Sequence, residues 1–174
     1  MNGELLTKIT IWVALCGYGL GAACLLKARQ KPQFLRTARA AWTAGCLIYL
    51  AHVVCAFHFY HHWSHAAALR DTANQTKETV GVEFGEGLFV SYAFTLGWLA
   101  DVTWWWISGL QGYLHRSRFF QIVWQFFLAF IVFNGTVVFA SGPVRWFGSA
   151  LFAGLGVLYY WSTTPRCYYR SHPT

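Results

Sequence analysis

The chain has 174 residues, 56% of them hydrophobic and only 11% charged, with a formal net charge of +7. Soluble domains carry about a quarter charged residues, so this composition excludes an ordinary water-soluble domain and implies an integral membrane protein. The basic residues sit in short clusters between apolar runs, which suits topology signals and not a nucleic-acid stripe.

The reading in chain order is an all-α polytopic protein, a single domain over 1–174, with about five transmembrane helices. The expected spans are 9–27, 40–62, 88–112, 119–141 and 145–162, with a polar outer connection over 66–86. Ile9 to Leu26 has no formal charge and is close to the ~20 residues needed to cross a bilayer. Gly17 and Gly21 present small residues one turn apart, a pattern that allows close helix packing. Lys8 is offset by Glu4, which argues for a retained span; a cleaved signal is the rival. Lys27, Arg29, Lys31, Arg36 and Arg39 come next, and this excess places that side in the cytoplasm and the N-terminus outside.

Ala40 to Leu69 contains no Lys, Arg, Asp or Glu. As one helix it would be ~45 Å long, more than the ~30 Å hydrocarbon core, so its end should project past the outer interface. Between Arg70 and Glu86 the composition turns polar and holds four of the chain's six acidic residues. Gly81, Gly85 and Gly87 make the later half turn-rich.

The third span is interrupted by Asp101. Trp104, Trp105 and Trp106, then His115, Arg116 and Arg118, read as a cytoplasmic interface. The fourth span is charge-free and contains Asn134, and Gly142-Pro143 marks an outer turn. The fifth ends before Arg166 and Arg170, expected in a cytoplasmic tail. Nine of thirteen basic residues then lie on the cytoplasmic side. A bacterial inner (cytoplasmic) membrane is the expected location. The five cysteines, at 16, 24, 46, 55 and 167, show no CxxC spacing and read as small hydrophobes.

Two groups of residues carry candidate chemistry. His58, His61, His62 and His65 fall within eight residues, at helical i,i+3 and i,i+4 spacings that let two imidazoles share one ion. Asp71, Glu83 and Glu86 are the nearest carboxylates to complete such a site. A mixed His/carboxylate set suits zinc, copper, manganese or iron, and haem is a further candidate cofactor. An interfacial cap and a pH-sensing cluster are the alternatives. His58-Phe59-Tyr60-His61-His62 resembles the HxxHH box of membrane fatty-acid desaturases and hydroxylases. That family implies a di-iron centre held by several such boxes on the cytoplasmic side. Here there are seven histidines in all and a single box, placed outside, so the family's function does not carry over.

The second group is intramembrane: His52, Asp101 and Asn134. Ionisable residues in a span are costly and point to function. Counted from the cytoplasmic ends, His52 and Asp101 are expected at similar depth, as a pair that either relays protons or ties helices together; the alternative puts Asp101 closer to the cytoplasmic face, since Trp104 follows within a turn. His52 as an axial haem ligand finds His115 and His172 poorly placed on other segments, which leaves His58 or a neighbour, or a second copy of the chain, to supply the partner.

Three functions are compatible with these residues. The first is a metal- or haem-binding membrane protein, an oxidoreductase or hydrolase, with its site at the outer face. The second is an accessory or structural subunit of a larger membrane complex. The third is a small proton-linked transporter or channel using His52 and Asp101. The expected partners are the lipid bilayer and other membrane subunits or copies of the chain, with no nucleic acid.

Overall fold

The computed structural model describes residues 3–164, and all the regular structure among them is helical. The expected cytoplasmic tail, with Arg166, Cys167, Arg170 and His172, lies outside the described residues. Helix α1 runs Gly3–Ala28 and α2 runs Phe34–Phe59. Helix α3 spans His65–Val80, α4 Gly87–Leu114 and α5 Arg118–Phe133. A π-helical turn, Asn134–Val138, extends α5, and α6 spans Pro143–Thr163. Gly142 takes φ 64° and Pro143 stands at the first turn of α6, so a turn forms where the Gly-Pro pair predicts one.

Three helical stretches are long and apolar enough to cross a membrane: Gly3–Ala28, Phe34–Phe59 and Arg118–Val138. Helices α4 and α6 are long but fall outside this set. The four tryptophans, four glycines and Asp101 of α4 dilute its aliphatic content.

Helices α1 and α2 make the most extensive contact in the bundle. Their backbones meet at glycine. A Cβ on Gly17 would lie 2.6 Å from the Gly45 Cα, and one on Gly21 would lie 2.8 Å from Trp42 Cε3. The small-residue face of α1 is therefore a packing surface, and Gly45 is its counterpart on α2. The core continues into a cluster of rings. Tyr18, Trp42 and Trp98 pack with centroids 5.2–5.8 Å apart, and each is 3% exposed or less. Offset and edge-on pairs of this kind add to simple area burial.

The connection over 66–86 is more ordered than its composition suggests. Ser64 caps α3, accepting a bond from the Ala67 N–H at 3.2 Å, and Gly81 closes it in the left-handed conformation at φ 83°. Ala68 is buried on this helix. A Cβ on Gly85 would lie 2.8 Å from the Leu69 carbonyl oxygen, which keeps the returning part of the loop tight against α3.

Helix α4 is not straight. Gly109 has φ 71° and ψ −178°, and the chain turns back there. Tyr113 then stacks on Trp105 at 3.9 Å, with the rings 10° from parallel. Of the Trp104–Trp106 run, expected as an interfacial belt, Trp105 is 1% exposed and belongs to the core. Trp104 and Trp106 are exposed.

Candidate functional site

The histidine run does not lie on one helix. Helix α2 ends at Phe59, and His61 to Ser64 form a turn before α3 begins at His65. His62 and Trp63 both take positive φ, 48° and 60°, a conformation that side chains with a Cβ rarely adopt. The i,i+3 and i,i+4 register expected for His58, His61, His62 and His65 is therefore absent. No local helix breaker announces this. Ser64 is a good N-cap for α3, and a new helix starting there ends the old one.

Each of three histidines instead has its own partner. His61 Nδ1–H donates to the Asp71 carboxylate at 3.0 Å. His65 Nδ1 and the Tyr92 hydroxyl lie 3.0 Å apart, and the two rings stack. His58 Nδ1 accepts from Trp63 Nε1 at 3.3 Å. His62 is exposed. Glu83 pairs with Lys77 at 3.3 Å, and the exposed Glu86 stands at the start of α4 without a capping bond from its side chain. Among the described residues, no group of three or more His, Cys, Asp or Glu is placed to hold one metal ion. These histidines act as ties between elements: His61 joins the turn to α3, and His65 joins α3 to α4.

The strained turn yields a direct prediction. A left-handed conformation costs an L-residue about 1–2 kcal/mol, and glycine removes this cost at some loss of chain entropy. His62→Gly should therefore raise stability by about 0.5–1 kcal/mol. The midpoint of thermal unfolding in detergent would report it. A lower midpoint would mean that the imidazole makes a stabilising contact or holds a ligand.

The three polar residues expected within the spans are also distributed differently from expectation. His52 Nδ1–H donates to the Thr7 carbonyl at 3.0 Å, with Thr10 Oγ1 at 3.5 Å. It ties α2 to α1 and does not meet Asp101. Asn134 donates to the Phe130 carbonyl of its own helix at 2.8 Å, at the start of the π turn. Asp101 lies level with Trp42, and ten residues of α2 separate Trp42 from His52, a rise of ~15 Å. The expected equal depth is not found, and the fold-back of α4 at Gly109 accounts for part of the offset, shortening the straight part by about 5 Å.

Asp101 is the centre of a closed polar cluster. Its side chain is 1% exposed and accepts three bonds: Arg116 Nη1 at 2.6 Å, Trp42 Nε1 at 3.0 Å and the Tyr113 hydroxyl at 3.2 Å. The Arg116 side chain is 10% exposed, and its guanidinium lies over the Tyr113 ring, 4.5 Å from the centroid. On a straight helix, fifteen residues would put Asp101 and Arg116 ~22 Å apart. The turn at Gly109 brings them together. A buried carboxylate is tolerated in an apolar bundle when paired and fully hydrogen-bonded, and this one is. Of these groups, only Asp101 stands out in the sequence. Arg116 reads as a topology signal, and Trp42 and Tyr113 as two aromatics among many.

Beside this cluster, α4 and α5 line a cleft of about 520 Å³. Gly97 and Asp101 line it from α4, and Arg116, Ser117, Phe120 and Trp124 line it from the turn and α5. Comparison of the chain with models of known protein families, with curated proteins and with solved structures found no match.

Proposed function

We propose that the chain is a five-span integral membrane protein, N-terminus outside, that serves as a structural or accessory subunit of a membrane assembly. The observation that supports this most is the state of Asp101. Its carboxylate takes three donors from α2, from the returning end of α4 and from Arg116, so the interior ionisable group braces the fold. His52 is likewise engaged with the α1 backbone. A proton relay would need these groups to exchange partners, and a metal or haem site would need the free Nε2 atoms of His61 and His65 to meet on one ion, whereas the described residues hold no group of three or more ligating side chains.

The contact face of such a subunit is the outer stripe of α5. Phe119, Ile122, Phe126 and Phe130 recur every three or four residues and are 53–80% exposed. The opposite face of the same helix buries Leu128 and Val132. Small residues bring helices close within a bundle, whereas a large-aromatic stripe suits lipid or the flank of another helix.

Purification from native membranes in mild detergent tests the reading. A partner at fixed ratio is expected, and Phe126→Ala with Phe130→Ala should release it while the chain keeps its elution position. A lone chain in mild detergent would overturn the subunit reading. Elemental analysis and a visible spectrum of the same preparation separate the other reading. One transition metal per chain, or a Soret band, lost in His61→Ala, would move the function to the histidine turn.

A further inference from the structure

The cleft between α4 and α5 has the polarity of an amphiphile. Gly97 and Asp101 face it from one stripe of α4, and Ser117, Phe120 and Trp124 recur every three or four residues along α5. At one end stand Arg116 and Ser117; beyond them the lining is aromatic. Seven residues of α5 separate Ser117 from Trp124, ~10 Å of helix. A Cβ on Gly97 would lie 2.2 Å from Trp124 Cη2, so the indole closes the deep end against bare backbone. The volume, about 520 Å³, falls among those of small-molecule sites.

Charge decides which amphiphile fits. The Asp101 carboxylate is neutralised by Arg116 at 2.6 Å and further engaged by Trp42 and Tyr113. What is left at the mouth favours an anion: the N-terminal end of α5 and the guanidinium N–H groups of Arg116 that Asp101 does not take up. The guanidinium of Arg116 has five N–H donors, and a single side-chain bond from it, to Asp101, is present among the described residues. Trp124 Nε1 is buried and also lacks a partner among them. A basic, hydroxyl-bearing rim over an aromatic trough, between two helices at a membrane interface, is suited to an anionic headgroup with its chain below.

We propose that this cleft binds one anionic phospholipid of the surrounding leaflet, its phosphate at Arg116 and Ser117 and an acyl chain along Phe120 and Trp124. The site rests on the membrane reading, since α4 and α5 must lie in the bilayer for a lipid to reach it. Occupancy would fill the space between the two helices and hold the Asp101–Arg116 brace beneath the headgroup.

Native mass spectrometry of the full chain in mixed micelles tests it, with dioleoylphosphatidylglycerol and dioleoylphosphatidylcholine offered at equal mole fraction. One phosphatidylglycerol per chain should be retained with about tenfold preference. Ala100→Phe and Ala100→Leu each place bulk in the cleft from an exposed position on α4 and should remove it. Leu96→Phe, on an outward position of the same helix that is 67% exposed, should not. Equal retention of the two lipids, retention in the folded Ala100 variants, or displacement by excess inorganic phosphate would each overturn the lipid site. A chain that stays monodisperse without detergent or lipid would instead overturn the membrane reading on which the site rests.

Discussion

Asp101→Asn is expected to lower stability by about 3–5 kcal/mol, the usual cost of breaking a buried ion pair from one side. Asparagine can still accept from Trp42 and Tyr113, but it leaves the Arg116 guanidinium, 10% exposed, without a counter-charge. Arg116→Gln should cost a similar amount, because it strands the carboxylate instead. The double variant should cost clearly less than the sum of the two, since neither half is then left charged and buried. Tyr113→Phe removes a single bond to the same carboxylate and should cost about 1 kcal/mol. Thermal or denaturant unfolding in one detergent, monitored by tryptophan fluorescence, gives all four values. If Asp101→Asn left stability unchanged and instead altered proton flux in liposomes, Asp101 would be part of a conduction path and the brace would be the wrong account.

This cluster also shows why part of the site is legible in the sequence and part is not. An aspartate inside an apolar run is visible at once, because its desolvation demands a partner. The partner is not visible, because Arg116 reaches Asp101 only through the left-handed Gly109, one of four glycines on that helix. Nothing in a single sequence separates a glycine that turns the chain from one that merely lies in it. The depth expected for Asp101 fails partly for the same reason, and its pairing with His52 fails with it.

The histidine run fails in the opposite way. Its spacing is regular enough to imply a shared helix face, yet regular spacing has meaning only if the helix persists. Ser64 and the polar residues after it could as well begin a new helix, and the structure takes that course. Once α2 stops at Phe59, the imidazoles point to separate partners, of which Asp71 and Tyr92 lie on α3 and α4. By contrast, the apolar runs of α1, α2 and α5 and the Gly142-Pro143 turn are readable because they depend on composition and local chemistry alone.

The glycine contact between α1 and α2 depends on pattern as well, and it carries the second large effect. Gly45→Val is expected to prevent the two helices from packing in their present geometry. A Cβ at that position would lie 3.0 Å from the Gly17 carbonyl carbon and 3.0 Å from the Tyr18 nitrogen. Both are backbone atoms, so no side chain can rotate away, and the helices themselves must separate. Overpacking a core costs about 1–3 kcal/mol when side chains can shift, and more is expected where only backbone is present. Separation would also withdraw Trp42 from Tyr18, and with it one donor from Asp101. Gly154→Ala is the matching control, since a Cβ there meets nothing within 4 Å on α6. Relative to glycine in a helix interior, alanine should raise stability by about 0.5–1 kcal/mol. Unfolding midpoints in the same detergent therefore should move in opposite directions for the two substitutions. A Gly45→Val protein as stable as the parent would mean that α1 and α2 do not cross at Gly17 and Gly45.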